Sequence, residues 1–449
     1  MYQQIIKKLY FWSYKIFAGS NVETYYNYLN KAQWDSFEVN QKRQAERLCL
    51  LLKHSLEQVP YYKHVGMKNK ITISQNDIFN DIKKFPILTK EVLRKEFNNL
   101  YAKTKGVTYK NTSGGSTGEP VLFLQDKEMR DWGRAAKILF DEWAGRKIGE
   151  KKIILWGSER DVLYDKKGAK RIFIEKVLRE KLLNTFCMNT QKMENYVNAI
   201  NSFKPSLILS YTSSMQELIA FIKKEHLTVF SPKAVMTSAG VLSEELRKEI
   251  YNIFRCSIFN RYGSRETSAI ACECEQSGGL HVIPDIIYFE IVNDVGQEVR
   301  PGESGDIIIT LLTNFTMPLI RYKIGDRATK SSENRCVCRR GWPTINNIIG
   351  RSVDVFTNEQ GDKIDGEYFT HLFYFKDGIE KFQVVQKNYN LIIINLVIDD
   401  KKLPQNFKEE ITQKIKTVMG NKCELQFNFV DKIDPSPSGK YLYTISEVK

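Results

Sequence analysis

The pattern of apolar and polar positions predicts alternating strands and helices over most of the chain. Stretches such as KKIILWGS, PSLILSYTSS and KAVMTSAG are short apolar runs that end in small polar residues. Segments with helical periodicity separate them, for example residues 243–254. Strands that alternate with helices are typical of a mainly parallel sheet covered by helices.

Two further segments depart from this pattern. YFEIVN, GDIIITLL and LIRYKIGDRAT follow one another with only turn-forming stretches between them, which predicts a more antiparallel, β-rich subdomain. From about residue 355 the chain is again strand-rich, with one helical segment at about 404–419. We therefore expect an α/β protein with a large N-terminal domain, 1–353, and a small mobile α+β C-terminal domain, 354–449.

Composition narrows the class of protein. The 449 residues are 42% hydrophobic, which is enough for sizeable cores, and no apolar run reaches the roughly 18 residues that span a bilayer. The net charge of +14 is scattered along the chain and forms no compact basic block, so we do not expect nucleic-acid binding. The N-terminal residues do not resemble a signal peptide, so a cytoplasmic protein with reduced cysteines is expected.

The first twenty residues combine aromatic, aliphatic and basic side chains at helical spacing. Such a helix either packs against the body of the protein or lies on a membrane surface. The sequence leaves both alternatives open, and it leaves the oligomeric state open as well.

The segment TSGGSTGEP, residues 112–120, combines three glycines with four hydroxyl side chains. Its exposed backbone N–H groups suit an anion with several oxygens, such as a phosphate, although a flexible surface turn explains the composition equally well. Glu119 and Pro120 follow the last glycine where a Walker A loop has Lys and Ser or Thr, so ordinary P-loop chemistry is not expected.

Six motifs in chain order resemble those of the adenylate-forming enzymes, the superfamily of acyl-CoA synthetases, nonribosomal adenylation domains and luciferases. The motifs are TSGGSTGEP, TSAG (237–240), NRYGSRET (260–267), IRYKIGDRA (320–328), IIGRSVD (348–354) and PSPSGK (435–440). Within the superfamily the chain is most similar to the phenylacetate-CoA ligase branch and its CapK-type members, which are associated with capsular and other surface polysaccharide synthesis. QVPYYKH and FPILTKE carry the likeness toward the N-terminus.

The resemblance implies an ATP site. The β- and γ-phosphates would be held by the loop residues Ser113, Gly114, Gly115, Ser116, Thr117 and Gly118. The nucleotide pocket would be lined by Ala239, Gly240, Tyr262 and Gly263, with Tyr262 against the adenine. Asp326 would accept hydrogen bonds from both ribose hydroxyls.

The resemblance also implies three catalytic residues and a hinge. Glu266 would bind Mg²⁺, Arg351 would act at the ribose or a phosphate, and Lys440 would reach the α-phosphate and the substrate carboxylate. Asp354 stands where the small domain of the family rotates between two half-reactions. Each residue taken singly also has a structural explanation, since Asp326 could cap a turn and Glu266 could pair with a neighbouring arginine.

The implied reaction joins a carboxylic acid to AMP and then passes the acyl group to a second nucleophile. Arg265 stands where many relatives have Thr, which brings a positive charge that could meet an anionic acyl substrate. The segment VFTNEQGDKIDGEYF lacks the Gly-rich, Pro-ended loop that admits CoA in relatives, so the acceptor is either a thiol or an amine on an amino acid or amino sugar. A catalytically degenerate nucleotide-binding partner in an envelope-assembly complex is the alternative from another class.

The substrate is not identified by the sequence. Pocket-lining residues are expected in the 130–160 segment and around 210–240, and Trp132, Trp156 and Tyr211 are unranked candidates.

The cysteines suggest a metal site. Cys272 and Cys274 form one C-x-C pair, Cys336 and Cys338 form another, and His281 lies between them. CapK-like relatives have a similar pattern, so the resemblance favours a structural Zn²⁺ held by Cys274, His281, Cys336 and Cys338, with Cys272 in reserve. Four reduced cysteines without a metal are the alternative.

Overall fold

A computed structural model of the chain describes residues 2–103, 106–113, 121–156, 178–185, 187–331, 336–349, 355–373, 376, 378–398, 403–404, 406–433 and 443–448. The chain divides into two compact units. The first unit consists of Met1–Ser113, Val121–Glu150 and Ser257–Gly350, and the second consists of Gly114–Pro120, Lys151–Cys256 and Arg351–Lys449. The predicted domain boundary at residue 354 stays a prediction.

The helices, with short 3₁₀ turns omitted, are α1 (Tyr2–Ala18), α2 (Val22–Ala32), α3 (Phe37–Gln58), α4 (Pro60–Lys68), α5 (Ile78–Asp81), α6 (Lys90–Lys95), α7 (Lys127–Trp143), α8 (Thr190–Phe203), α9 (Thr212–Lys224), α10 (Glu244–Phe254), α11 (Gly366–Phe373) and α12 (Phe407–Met419). The strands are β1 (Thr108–Thr112), β2 (Leu122–Asp126), β3 (Lys152–Leu155), β4 (Glu180–Leu183), β5 (Cys187–Met188), β6 (Leu207–Tyr211), β7 (Ala234–Ser238), β8 (Ser257–Ser264), β9 (Ser268–Glu273), β10 (Leu280–Val282), β11 (Ile287–Val292), β12 (Ser304–Leu311), β13 (Tyr322–Lys330), β14 (Thr344–Ile349), β15 (Val355–Thr357), β16 (Lys363–Asp365), β17 (Ile379–Asn388), β18 (Leu391–Ile398), β19 (Glu424–Phe429) and β20 (Thr444–Ser446). None of these helices has the length and apolar content needed to cross a bilayer.

In the first unit, seven strands form an antiparallel arrangement in the order β11-β12-β13-β14-β10-β9-β8. Side chains alternate between a buried and a more exposed face along strands such as β13, as expected for antiparallel strands with one solvated face. The β-rich subdomain predicted from the turn-separated strands is confirmed.

This antiparallel sheet is strongly curved. Three strands separate β8 from β13, so a flat sheet with strands about 4.8 Å apart would place them roughly 19 Å from one another. The hydroxyl of Tyr262 on β8 nevertheless donates a 2.8 Å hydrogen bond to Oδ2 of Asp326 on β13. A tyrosine side chain cannot cover the flat-sheet distance, so the sheet curls until β13 faces β8.

In the second unit, four parallel strands pair in the order β7-β6-β3-β4. β6 and β7 are buried along almost their whole length, which explains why they read as continuous apolar runs. α9 connects β6 to β7, α10 follows β7, and Ser243 caps α10 by accepting a hydrogen bond from the backbone N–H of Leu246. The predicted parallel sheet with connecting helices is confirmed.

The last part of the second unit carries its own core. Strands β19-β18-β17-β20 form a mixed sheet, and β15 and β16 form a hairpin that pairs with β5. The side chains of α11 and α12 pack against the mixed sheet, and the core includes Phe356, Phe369, Phe382, Ile394, Leu396, Phe407 and Ile411. The prediction that the C-terminal segment combines helices and strands in an α+β arrangement is confirmed.

The alternation along β18 gives a matched pair of stability variants. Ile394 is fully buried and Ile393, its neighbour on the opposite face of the strand, is only partly buried. We expect Ile394→Ala to lower the free energy of unfolding by about 2–5 kcal/mol, because it leaves a cavity in the core. Ile393→Ala should cost clearly less, and equal shifts in the guanidinium midpoints of the two variants would contradict the assigned core face.

Candidate functional site

The curvature of the antiparallel sheet brings two predicted nucleotide-binding residues together. Tyr262 is almost completely buried on β8, and its hydroxyl donates to the Asp326 carboxylate. The two residues are 64 positions apart in sequence. A carboxylate fixed in this way by an aromatic residue has the chemistry to accept hydrogen bonds from sugar hydroxyls beside a flat ring.

Glu266 lies in the turn between β8 and β9, and it is buried. Its Oε1 accepts a 3.2 Å hydrogen bond from the hydroxyl of Tyr322, which is fully buried at the start of β13. The other carboxylate oxygen has no hydrogen-bond partner among the described residues. A buried carboxylate held through one oxygen can offer the other to a hard cation such as Mg²⁺.

Tyr322 is a residue that the sequence reasoning missed. It stands inside the IRYKIGDRA motif, four positions before Asp326, but the motif alone does not tell which of its side chains faces the turn at Glu266. Its position on the inner face of a curved strand becomes visible only in three dimensions.

Arg321, the residue before Tyr322, fixes the start of β13. Its buried guanidinium forms an ion pair with Glu290 on β11 and donates hydrogen bonds to three backbone carbonyl oxygens, those of Lys83, Phe85 and Gly296. Burial raises the pKa of Glu290, and the charge of Arg321 opposes that rise. Because a buried charge is costly unless it is paired and hydrogen-bonded, this network holds the strand in one place.

The FPILTKE segment packs against the same strand. The backbone N–H of Leu88 donates to the carbonyl of Arg321, and the N–H of Lys323 donates to the carbonyl of Leu88, both at 2.9 Å. Leu88 therefore holds the start of β13 through two backbone hydrogen bonds. This contact is a structural role for the FPILTKE motif.

The two ends of the glycine-rich loop lie side by side. The N–H of Ser113 donates to the carbonyl of Val121 at 3.0 Å, and the Ser113 hydroxyl accepts from the N–H of Val121 at 2.8 Å. From the strand that follows, the Gln125 amide donates to the backbone carbonyl of Arg265, next to Glu266. The strand that follows the loop is therefore hydrogen-bonded to the turn that carries Glu266, the predicted Mg²⁺ ligand.

Gly263 has a packing role in that turn. A Cβ at this position would collide with the backbone oxygen of Ser268 on β9. Tyr262 and Gly263 also stand at a break in the register between β8 and β9. Glycine is therefore required here by the close approach of the two strands.

The TSAG motif ends β7 in the second unit. Ala239 has φ +66°, an uncommon conformation for a residue with a side chain. A Cβ on Gly240 would lie 2.9 Å from Cβ of Thr212, so only glycine fits against that neighbour without movement. Strain at a strand end is typical of ligand-binding turns, and the pocket-lining role of this motif stays a prediction.

Several predicted site residues lie outside the described residues. They are Gly114, Gly115, Ser116, Thr117 and Gly118 of the loop, Arg351, the hinge residue Asp354 and Lys440. Their roles stay predictions.

The three aromatic candidates for the acyl pocket differ in their surroundings. Trp132 is 2% exposed in α7 and stacks on Tyr25, with ring centroids 4.4 Å apart, so it belongs to a core. Trp156 follows β3 and Tyr211 is the last residue of β6. The centroids of their rings are 3.9 Å apart. Because ligands bind at the carboxyl ends of parallel strands, Trp156 and Tyr211 are the better placed pair.

The Cys/His residues form a compact cluster in the first unit. The ligand atoms of Cys274, His281, Cys336 and Cys338 all lie within 4.8 Å of one another. Sγ of Cys274 is 3.6 Å from Sγ of Cys336, and Sγ of Cys338 is 3.3 Å from Nε2 of His281. In a zinc tetrahedron with Zn–S bonds of about 2.3 Å and Zn–N bonds of about 2.0 Å, the corresponding separations are about 3.8 and about 3.5 Å.

The orientation of His281 also suits a metal. Nδ1 lies 3.1 Å from the carbonyl oxygen of Trp342, so Nδ1–H donates there and Nε2 carries the lone pair toward the cysteines. Burial lowers the pKa of His281 to about 4 and raises the pKa of Cys274 to about 12. The imidazole is therefore neutral near pH 7, and a metal that binds must displace thiol protons.

Cys272 does not belong to this cluster. It is fully buried on β9 opposite His281, and the group of four ligand atoms found among the described residues leaves it out. The second C-x-C pair, by contrast, contributes both of its sulfurs.

The cluster is anchored to the helices of the first unit. Arg340 follows it and donates to Oε1 of Gln33 at 2.8 Å, and the indole N–H of Trp143 donates to the same oxygen at 2.9 Å. Gly341 donates its N–H to the carbonyl of Gln33, and a Cβ on Gly341 would collide with the backbone of Asp35. The loop that carries Cys336 and Cys338 is thus packed directly against the segment between α2 and α3.

Comparison with known proteins finds a family model for the C-terminal segment and relatives that cover most of the chain. A family model described as the CapK C-terminal domain matches residues 356–447. Protein CapK of Staphylococcus aureus is 26% identical over 421 residues, which cover 92% of this chain and 90% of that protein. Phenylacetate-coenzyme A ligase of Pseudomonas putida is 24% identical over 412 residues, which cover 87% of this chain and 91% of that protein.

Solved structures have the same fold. A 2-hydroxyisobutyryl-CoA ligase, crystallised with 2-HIB-AMP and CoA in the thioesterification state, superposes with a TM-score of 0.60 at 16% sequence identity. The superposition covers 93% of this chain and 91% of that one. At this identity the likeness shows the fold, a large N-terminal part of mixed sheets and helices followed by a small C-terminal domain.

Proposed function

Because the chain belongs to the adenylate-forming superfamily, in the branch that contains CapK and the phenylacetate-CoA ligases, we propose that it is an ATP-dependent ligase that releases AMP. It activates a carboxylic acid as an acyl-adenylate and transfers the acyl group to an amine or a thiol. One observation supports this most directly: the curved sheet brings Tyr262 into contact with Asp326 and Tyr322 into contact with Glu266, so that two motifs far apart in sequence contact each other through two pairs of side chains.

The proposed roles follow the chemistry of each side chain. Tyr262 packs against the adenine while Asp326 accepts hydrogen bonds from the ribose, and the loop from Ser113 to Gly118 holds the β- and γ-phosphates. Glu266 holds Mg²⁺, which neutralises phosphate charge when it is bound. Arg351 acts at the ribose or a phosphate.

In the first half-reaction a carboxylate oxygen of the substrate attacks the α-phosphorus of ATP, the bond from that phosphorus to the pyrophosphate oxygen breaks, and pyrophosphate leaves. Lys440 stabilises the negative charge that gathers at the α-phosphate. In the second half-reaction a nucleophile attacks the acyl carbon, and AMP leaves with the electron pair of the broken C–O bond. The small domain turns about Asp354 between the two steps.

The two acceptor classes have different support. The relatives named as CoA ligases favour a thiol. In this chain the segment after the hinge forms the short hairpin β15–β16 and then α11, and its sequence lacks the Gly-rich, Pro-ended loop of CoA ligases, which favours an amine. The motifs of this chain resemble those of CapK-type proteins, which are associated with surface polysaccharide synthesis, and amino sugars are suitable acceptors in that synthesis. The reaction takes place in the cytoplasm, where ATP is supplied.

A pyrophosphate-exchange assay with a panel of aryl, amino, fatty and uronic acids tests the proposal. We expect acid-dependent exchange, and Lys440→Ala should lower it about 100-fold or more because the charge of the lysine acts on the transition state. Lys381→Ala, which removes an exposed lysine from β17 of the same domain, is the matched control and should retain exchange. No acid-dependent signal, with Lys440→Ala equal to the parent protein, would refute the ligase and favour the degenerate partner. Adding CoA or amines to the active acid then separates the acceptors.

Tyr322 gives a second test of the site. Tyr322→Phe removes the hydroxyl that holds the Glu266 carboxylate, so we expect the Mg²⁺ concentration for half-maximal exchange to rise about tenfold or more. Tyr26→Phe removes a tyrosine–glutamate contact that is partly buried, the 2.6 Å hydrogen bond from Tyr26 to Glu142, and should leave the Mg²⁺ requirement unchanged. If both variants shift the requirement equally, the Tyr322–Glu266 contact is not specific to cation binding.

We also propose that Cys274, His281, Cys336 and Cys338 bind one structural Zn²⁺. The distances between their ligand atoms, the orientation of His281 and the burial of the cluster support a closed four-ligand site. Because the cluster lies next to Gln33, we propose that the metal stabilises the packing of helices α2 and α3 and takes no part in the nucleotide chemistry.

Metal analysis of protein purified without added zinc tests this site. We expect about one equivalent of zinc in the parent protein, much less in Cys274→Ser, and an unchanged content in Cys272→Ser, because the sulfur of Cys272 lies outside the cluster. Cys274→Ser should also lower the thermal midpoint. Less than about 0.3 equivalents in the parent protein would argue against the site.

A further inference from the structure

Helix α1 has one face packed against the first unit. Tyr10 and Phe11 are 5% and 2% exposed, and the ring of Phe11 lies 5.4 Å from that of Tyr26 on α2. Gly149, at φ +88°, is the point of contact for Ile6, where any Cβ would collide with that side chain. The helix is therefore docked on the protein through this face.

The opposite face of α1 has an unusual composition. Among residues 6–16, the exposed side chains are Lys8, Leu9, Trp12, Lys15 and Ile16. Leu9, Trp12 and Ile16 follow the i, i+3, i+7 spacing of one helix face and are 53%, 58% and 55% exposed. Single exposed apolar residues are ordinary on protein surfaces, but an aligned group that includes a tryptophan is not.

The charge beside this apolar row has a single sign. Residues 1–22 contain three lysines and no aspartate or glutamate. On the helical wheel, Lys8 and Lys15 lie next to Trp12 on one side of the apolar row. An ordinary solvated helix face mixes acidic, basic and neutral polar residues, and this one does not.

We propose that this face, Lys8, Leu9, Trp12, Lys15 and Ile16, binds the surface of a membrane that contains anionic lipids. With α1 parallel to the surface, the three apolar side chains enter the boundary between headgroups and acyl chains, where tryptophan is favoured, and the two lysines meet lipid phosphates. A second copy of the chain fits less well, because three side chains cannot cover the roughly 800 Å² per partner of a stable interface and the lysines would face one another.

The inference goes beyond the proposed ligase activity. It places that activity at the membrane surface, where a lipid-linked acceptor or product would be within reach. The contact is peripheral, since it uses one face of a helix whose other face stays packed on the protein.

Vesicle flotation of the full chain tests the proposal. We expect the protein to float with vesicles of phosphatidylcholine and about one-third phosphatidylglycerol, to bind pure phosphatidylcholine at least tenfold more weakly, and to be released at about 0.5 M salt. The triple variant Leu9→Ser/Trp12→Ser/Ile16→Ser should lose at least tenfold in partitioning, and Lys8→Gln/Lys15→Gln roughly tenfold on anionic vesicles only.

Helix α3 supplies matched controls. It exposes Leu50 to 63%, and Lys42 and Lys53 are exposed on the same helix. Leu50→Ser and Lys42→Gln/Lys53→Gln should float like the parent protein. Thermal unfolding and pyrophosphate exchange without vesicles, both unchanged in the triple variant, separate loss of membrane binding from misfolding and from failure of the ligase proposal.

Three results would overturn the proposal. The first is absence of flotation with anionic vesicles at low salt, and the second is equal flotation of the triple variant and the parent protein. The third is a parent protein that is dimeric by light scattering and becomes monomeric in the triple variant, since a second copy would then cover the face.

Discussion

The buried Arg321–Glu290 ion pair is the interaction on which the candidate site depends. The Arg321 guanidinium pairs with one carboxylate and donates to three backbone carbonyls, two from residues 83–85 and one from Gly296, and this network fixes the start of β13. Tyr322 follows directly and Asp326 lies on the same strand. The contacts to Glu266 and Tyr262 therefore rest on a charged pair that takes no part in them.

Much of the architecture is readable from the sequence because it depends on local patterns. The apolar runs of β6 and β7 and the helices between strands follow from periodicity, and the strands of the antiparallel sheet follow from turn signals on either side. The curvature of that sheet does not follow from any of these, since it arises from twist summed over several strands. Tyr322 was missed for that reason: its role depends on which strand it faces and not on its neighbours in sequence.

The cysteines illustrate the same limit on a smaller scale. The spacing of the two C-x-C pairs treats Cys272 and Cys274 alike, but β9 ends at Glu273 and the chain then turns through Ser277 and Gly279, both at positive φ. Cys274 therefore lies after the end of the strand, where its sulfur is part of the cluster, while Cys272 lies within the sheet. A strand boundary one residue away decides which sulfur joins the cluster, and boundaries are the least certain part of any pattern-based assignment.

Helix α2 connects two features that would otherwise be unrelated. Tyr26 on α2 packs against Phe11 of α1, and Gln33, directly after α2, accepts hydrogen bonds from Arg340 and Trp143 beside the Cys/His cluster. The cluster therefore supports the helix that in turn supports α1 and its exposed face. A metal in the cluster would stabilise the packing of α1 and α2. The Tyr262–Asp326 and Tyr322–Glu266 contacts depend instead on β13, which Arg321 holds in place. The proposed metal site and the proposed nucleotide site are thus separated within one unit, because each depends on a different buried network.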